Sequence, residues 1–184
     1  VVFINSSASF YSSNSNVLFN ELSSWLFLSL LICIALIDIK CFWIPQGLLN
    51  FGFFTGLLGL ILIGLLNNKF IDFYLLLRGL SSSAISFFIF ESLRYLAKYI
   101  FKKDAIGKGD SKLVAMFALW LGPIGTLFAV GISYIFAAIY CLIGLSLNLV
   151  RFRQAIPFAP FLSLGGLLIW FIGNDFVIYK ILRI

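Results

Sequence analysis

Histidine is absent from this chain of 184 residues. That removes Ser-His and Cys-His nucleophile pairs and histidine-ligated metals in one step. Charge is scarce as well: 11% of the residues are Asp, Glu, Lys or Arg, against about 25% in an ordinary soluble domain. Cys33, Cys41 and Cys141 are widely spaced, with no CxxC and no secretory disulfide pattern, so they read as small hydrophobic packers. No cofactor is expected from a chain so poor in ligating side chains. A cleavable signal is also missing from the start, because residues 1–20 lack a positive leading region and are rich in Ser and Asn.

Apolar residues fill the space left by these absences. The chain is 62% hydrophobic, holds 22 Phe and has a mean hydropathy of +1.10. Runs such as FLSLLICIALI, GLLGLILIGLL and GTLFAVGISYIFAAIYCLIGL are solid rather than alternating, which argues for helices and against a β-barrel. The expected fold is therefore all-α, a polytopic integral membrane bundle whose partner is the lipid bilayer.

About six spans are read, at 22–42, 48–66, 73–100, 111–121, 123–149 and 158–179. The breaks between them are IPQG, NNK, FKKDAIGKG, LGP and RFRQAIP. A bilayer-crossing helix needs about 20 apolar residues, so the fourth span either starts inside the membrane or shares a bent helix with the fifth. Residues 1–21 form a polar N-terminal segment and 22–184 a single transmembrane domain; Val at position 1 points to further sequence upstream.

The net charge of +6 does not indicate nucleic acid, because the basic residues cluster between apolar spans. One set of alternate loops holds Lys40, Lys98, Lys102, Lys103, Lys108, Lys112, Arg151 and Arg153; the other holds only Lys69, Lys180 and Arg183. The positive-inside rule makes the first set cytoplasmic and leaves both termini outside. Gly52, Gly56 and Gly59 in the second span fit close packing of the small-xxx-small kind. Glu91 and Arg94, three apart on one helix face, neutralise each other where the third span leaves the membrane.

The chain has 7 acids. Glu21, Asp72 and Asp175 fall at outer ends of spans, Glu91 has its arginine, and Asp104 follows two lysines in a solvated loop. Two acids remain to be explained. Asp38 lies near the end of the first span in ALIDIKCFWIPQGLLN, where Pro45 is expected to end the helix. Pairing with Lys40 is poor, since residues two apart on a helix do not face each other. Asp110 opens the fourth span in AIGKGDSKLVA, behind Gly107 and Gly109, which allow positive φ and close approach of an extended substrate. Taken alone, Asp110 reads first as a helix N-cap.

The two acids arrive at the same membrane face. The positive end of a helix favours an ionised Asp110, and the negative end together with apolar surroundings favours a protonated Asp38. Two carboxyls set apart in this way form an acid/base pair, with Asp110 as base and Asp38 as acid. Such a dyad carries out aspartic proteolysis. Other chemistries fit less well: the G-x-x-x-x-G-K-[ST] spacing of a phosphate loop is missing, and Ser111 and Lys112 diverge as helix neighbours. A metal held by two aspartates alone is under-liganded.

With these residues in hand, the chain resembles the type IV prepilin peptidases, membrane aspartic proteases of the GxGD class. GKGDSKLVA matches the family's G-x-G-D-x-K-L pattern, ALIDIKCFWIPQGLLN its first-aspartate motif, and IPFAPFLSLGG (156–166) its C-terminal segment. The resemblance covers about residues 22–179. It implies Asp38 and Asp110 as the catalytic pair, with Gly107, Gly109, Lys112 and Pro45 as supporting motif positions. It also implies prepilin or pseudopilin precursors as substrates, cut after a glycine at the cytoplasmic face of the inner membrane. Many bacterial members carry an upstream domain with paired CxxC motifs that methylates the new N-terminus. No stretch here matches that domain, so the resemblance implies the peptidase activity alone. Two other readings are weighed. A presenilin or signal-peptide-peptidase-like protease would need a Pro-Ala-Leu motif that this sequence lacks. A proton- or ion-coupled transporter or scaffold is disfavoured by the lack of a clear inverted repeat.

Overall fold

A computed structural model describes residues 17–66, 73–102, 107–148 and 156–172. Every element among them is an α-helix: α1 (Val17–Cys41), α2 (Gln46–Leu66), α3 (Phe73–Phe101), α4 (Lys108–Ser146) and α5 (Ala159–Ile172). Three stretches, Leu22–Cys41, Leu76–Ile100 and Lys108–Ser146, are long and apolar enough to cross a membrane. Outward-facing Trp25, Phe54, Phe88, Leu127 and Leu142 give the bundle the apolar exterior that lipid requires. The expected positions of Asp72, Asp104 and Asp175 lie outside the described residues.

The described helix ends agree with the expected spans within a few residues, except that α1 begins at Val17, inside the segment read as a loop; the expected end of the sixth span, at 179, lies outside the described residues. Pro45 does not end α1. That helix closes at Cys41, followed by Phe42 at φ 51, whose N–H donates to the Asp38 carbonyl at 2.9 Å. Pro45 instead starts α2, its carbonyl accepting the N–H groups of Leu48 and Leu49. This is the favoured place for a proline, just where a helix begins and no N–H is needed. The cysteines are not core packers: Cys33 and Cys41 are exposed and Cys141 half-buried, all as free thiols.

Gly122 breaks α4 into two arms. Its φ of 72 and ψ of 176 lie in a region that essentially only glycine occupies. Pro123 follows, fixing the first residue of the second arm, and the Thr126 hydroxyl closes the turn by donating to the Gly122 carbonyl at 2.7 Å. The packing partners show that the chain reverses here. Along α5, Gly166 meets Phe117 and Trp170 meets Trp120, so α5 runs parallel to the first arm. Gly165 meets Ala129 and Ser133, and the Phe158 ring lies 5.0 Å from that of Tyr134 in a tilted contact, so α5 runs antiparallel to the second. The stretches read as the fourth and fifth spans are thus joined as one helical hairpin.

The first arm is the centre of the molecule. Leu113 through Leu121 are buried without exception. α3 packs against it antiparallel, pinned by Ser82 Oγ donating to the Ala118 carbonyl at 3.2 Å and Ser83 Oγ to that of Ala115 at 2.8 Å. At the end of the arm near Gly122, Phe27 of α1 stacks on Trp120 at 5.0 Å and lies 4.8 Å from Trp170 of α5. The Trp120 indole N–H donates to the Gly52 carbonyl of α2 at 2.9 Å. Gly52 and Gly56 of α2 therefore do not meet another small-residue face. Gly52 lies under Met116, and a Cβ at Gly56 would sit 2.7 Å from the Trp120 indole nitrogen.

Candidate active site

The end of the first arm opposite Gly122 holds both unexplained acids. Asp38 stands in the last turn of α1, and Asp110 in the first turn of α4. They are 6% and 7% exposed, which is exceptional for carboxylates. Asp110 lies within electrostatic reach of Asp38, and its neighbour Gly109 packs on Ile44, six residues after Asp38, so the two acids belong to one site.

Each carboxylate is held by a backbone N–H. Asp110 is not the N-cap; that position belongs to Gly107, and the Asp110 carboxylate reaches back three residues to accept the Gly107 N–H at 3.2 Å. Asp38 Oδ2 accepts the N–H of Ala159 at 3.1 Å. Ala159 is the first residue of α5, whose N–H groups have no partner inside the helix. Pro160 next to it has no N–H to satisfy.

This contact removes the asymmetry expected from the helix ends. Asp38 lies at the C-terminus of α1 but also at the N-terminus of α5, so both carboxylates face the positive end of a helix. Helix ends therefore do not divide the pair into base and acid.

The glycines of the motif serve packing and not unusual dihedrals. Gly107 is extended, at φ −68 and ψ 144, and among the described residues Gly122 is the one glycine with positive φ. A Cβ at Gly107 would lie 3.1 Å from Asp110 Oδ2. A Cβ at Gly109 would lie 2.9 Å from the side chain of Ile44, the residue before Pro45. Gly109 thus lets the α1–α2 connection press onto the first turn of α4, locking one aspartate motif against the other. Lys112 is half-buried on that turn, and no hydrogen bond or ion pair holds it among the described residues.

Sequence reasoning missed three contributors. Ala159 carries only a backbone donor, which no residue-type search finds. Tyr134 stands where the second arm returns past the pair, within electrostatic reach of Asp110, and its ring lies tilted against Phe158. Only knowledge of the reversal at Gly122 would have brought it there. Glu91, read as neutralised by Arg94, uses its second oxygen to accept from Ser111, the residue after Asp110, at 3.0 Å. No group of three potential metal ligands occurs among the described residues.

Residues 25–142, which include both aspartates, match the type IV leader peptidase family. A prepilin leader peptidase/N-methyltransferase of Legionella pneumophila is 32% identical over 161 residues, covering 88% of this chain and 52% of that protein. A type 4 prepilin-like proteins leader peptide-processing enzyme of Escherichia coli is 35% identical over 83 residues, covering 45% of this chain and 29% of that protein. A prepilin leader peptidase/N-methyltransferase of Xanthomonas campestris is 31% identical over 99 residues, covering 54% and 34% respectively. The chain spans about half the length, or less, of these curated relatives. No solved structure matches it.

Proposed function

The chain belongs to the type IV leader peptidase family, and from that premise we propose that it is an aspartic endopeptidase of the membrane, cleaving leader peptides from prepilins and pilin-like precursors. The observation that carries the reading is the convergence of Asp38 and Asp110, two buried carboxylates from separate motifs, at one end of the central arm. The relatives' names supply the substrate class, prepilin precursors, and the proposal extends to the peptidase half of those names alone.

In this mechanism the pair holds one proton between two carboxyls. The ionised carboxyl takes a proton from a water molecule, and the resulting oxygen nucleophile attacks the peptide carbonyl carbon. The protonated carboxyl donates a hydrogen bond and then its proton to the carbonyl oxygen, giving a neutral tetrahedral intermediate. Proton return to the amide nitrogen accompanies C–N cleavage. The hydrogen bonds from Gly107 and Ala159 orient one oxygen of each acid and leave the other for this chemistry. Lys40, Lys98, Lys102, Lys108 and Lys112 belong to the helix ends on the side of the pair, which supports an active site directed to the cytoplasm.

The test is co-expression with a pilin precursor bearing a basic leader, followed by electrophoresis. Wild type removes the leader; Asp38→Asn and Asp110→Asn insert normally and leave it intact. Full processing by either variant overturns the proposal.

A further inference from the structure

Glu91 and Arg94 would suffice as a neutral pair if Glu91 engaged only Arg94. Instead its two oxygens point in two directions. Oε1 takes the Arg94 guanidinium within α3, and Oε2 accepts the Ser111 hydroxyl across the helix interface at 3.0 Å. Ser111 is 0% exposed and Arg94 6%, while the Glu91 side chain keeps 23% exposure, so this link lies at the edge of the packed interior, with a charged acceptor that strengthens the hydrogen bond.

Several other hydroxyls in these helices satisfy themselves locally. Ser29, Thr55, Ser92, Ser133 and Ser146 each donate to a carbonyl three or four residues back in their own helix. Ser111 does not, and its hydroxyl is spent on α3. Together with Ser82 and Ser83 it makes three polar pins between antiparallel α3 and the first arm, and it is the pin at the end where Asp110 lies.

We propose that Glu91 and Ser111 are a positioning pair that sets the rotation of the first turn of α4, and with it the direction in which Asp110 faces Asp38. The proposal rests on the peptidase reading. Successive helix residues point about 100° apart, so fixing Ser111 towards α3 fixes where Asp110 points. A catalytic constellation tolerates errors of only about 0.5 Å or 10–20°. Glu91 is itself oriented by Arg94, so the guanidinium, the carboxylate, the hydroxyl and the first turn form one chain of constraint. Neither Glu91 nor Ser111 touches the reacting atoms in this proposal.

The experiment measures kcat and KM for the full chain in proteoliposomes, with a labelled precursor peptide made of a basic leader and an apolar helix. Ser111→Ala lowers kcat at least about tenfold while KM stays within about twofold, because orientation and not binding is lost. Ser111→Cys, which keeps the volume but donates weakly, behaves as Ser111→Ala does. Ser83→Ala, which removes an equivalent pin farther from the pair, keeps the wild-type kcat. The proposal is overturned by unchanged kcat in Ser111→Ala, by wild-type kcat in Ser111→Cys, or by equal losses in Ser83→Ala and Ser111→Ala. Asp110→Asn reports separately on the peptidase reading: it is inert if that reading holds, whatever Ser111→Ala does.

Discussion

Both arms of α4 are largely apolar in sequence, yet one is hidden and the other faces outward. In the first, Leu113 to Leu121 are all buried, large and small side chains alike. In the second, burial follows Gly125, Thr126, Ala129, Val130 and Ser133, while Leu127 is 72% exposed and Leu142 68%. Inside a bilayer the exterior is as greasy as the core, so hydrophobicity no longer separates them. What distinguishes the packed face of the second arm is the smallness of its residues. The first arm needs no such stripe because helices surround it, and it can therefore present a carboxylate at a defined place.

That contrast can be broken most forcefully in the aromatic packing. Phe117→Ala on the first arm should cost about 3–5 kcal/mol, whereas Leu127→Ala on the second should change stability by less than about 0.5 kcal/mol. Loss of helical signal in a denaturing-detergent titration compares them, and similar midpoints for the two variants would refute the division. The hinge between the arms comes next. Gly122→Ala forces a Cβ into a glycine-only conformation and should cost about 1–3 kcal/mol in the same titration; a wild-type midpoint would show that the reversal does not need glycine. The finest distinction uses one substitution at two glycines. Gly165→Ala drives a methyl against the Ala129 carbonyl and Ser133 Oγ and should destabilise by about 1 kcal/mol or more. Gly131→Ala meets open space and should stabilise by up to about 1 kcal/mol through helix propensity. Shifts of the same sign would mean that the face carrying Gly165 is not the tight one.

These contrasts also mark what could be read beforehand. Helix extents were legible because long apolar runs and the LGP break are local signals, and the two acids stood out because nothing local explained them. The purpose of the glycines was not legible: Gly109 yields to Ile44, a residue from another motif, and not to its own dihedral preference. Pro45 was read as a stop when it is a start, since a proline between two helices satisfies either description until the cap is seen. The division of roles between Asp38 and Asp110 was inferred from the helices that contain them, but α5 brings a third helix end to Asp38 from far along the chain. Glu91 had a satisfactory partner nearby, which concealed its second one.

The hydrogen bond between Asp38 and Ala159 spans 121 positions of sequence, and synthesis runs from one to the other in order. As the chain leaves the ribosome, both acids are made well before the donor that orients one of them. Until α5 docks, Asp38 lacks that donor, so the nascent chain carries the residues of the pair before it carries their geometry. Timing is thereby written into topology: the last described helix to be made is the one that completes the setting of the first acid.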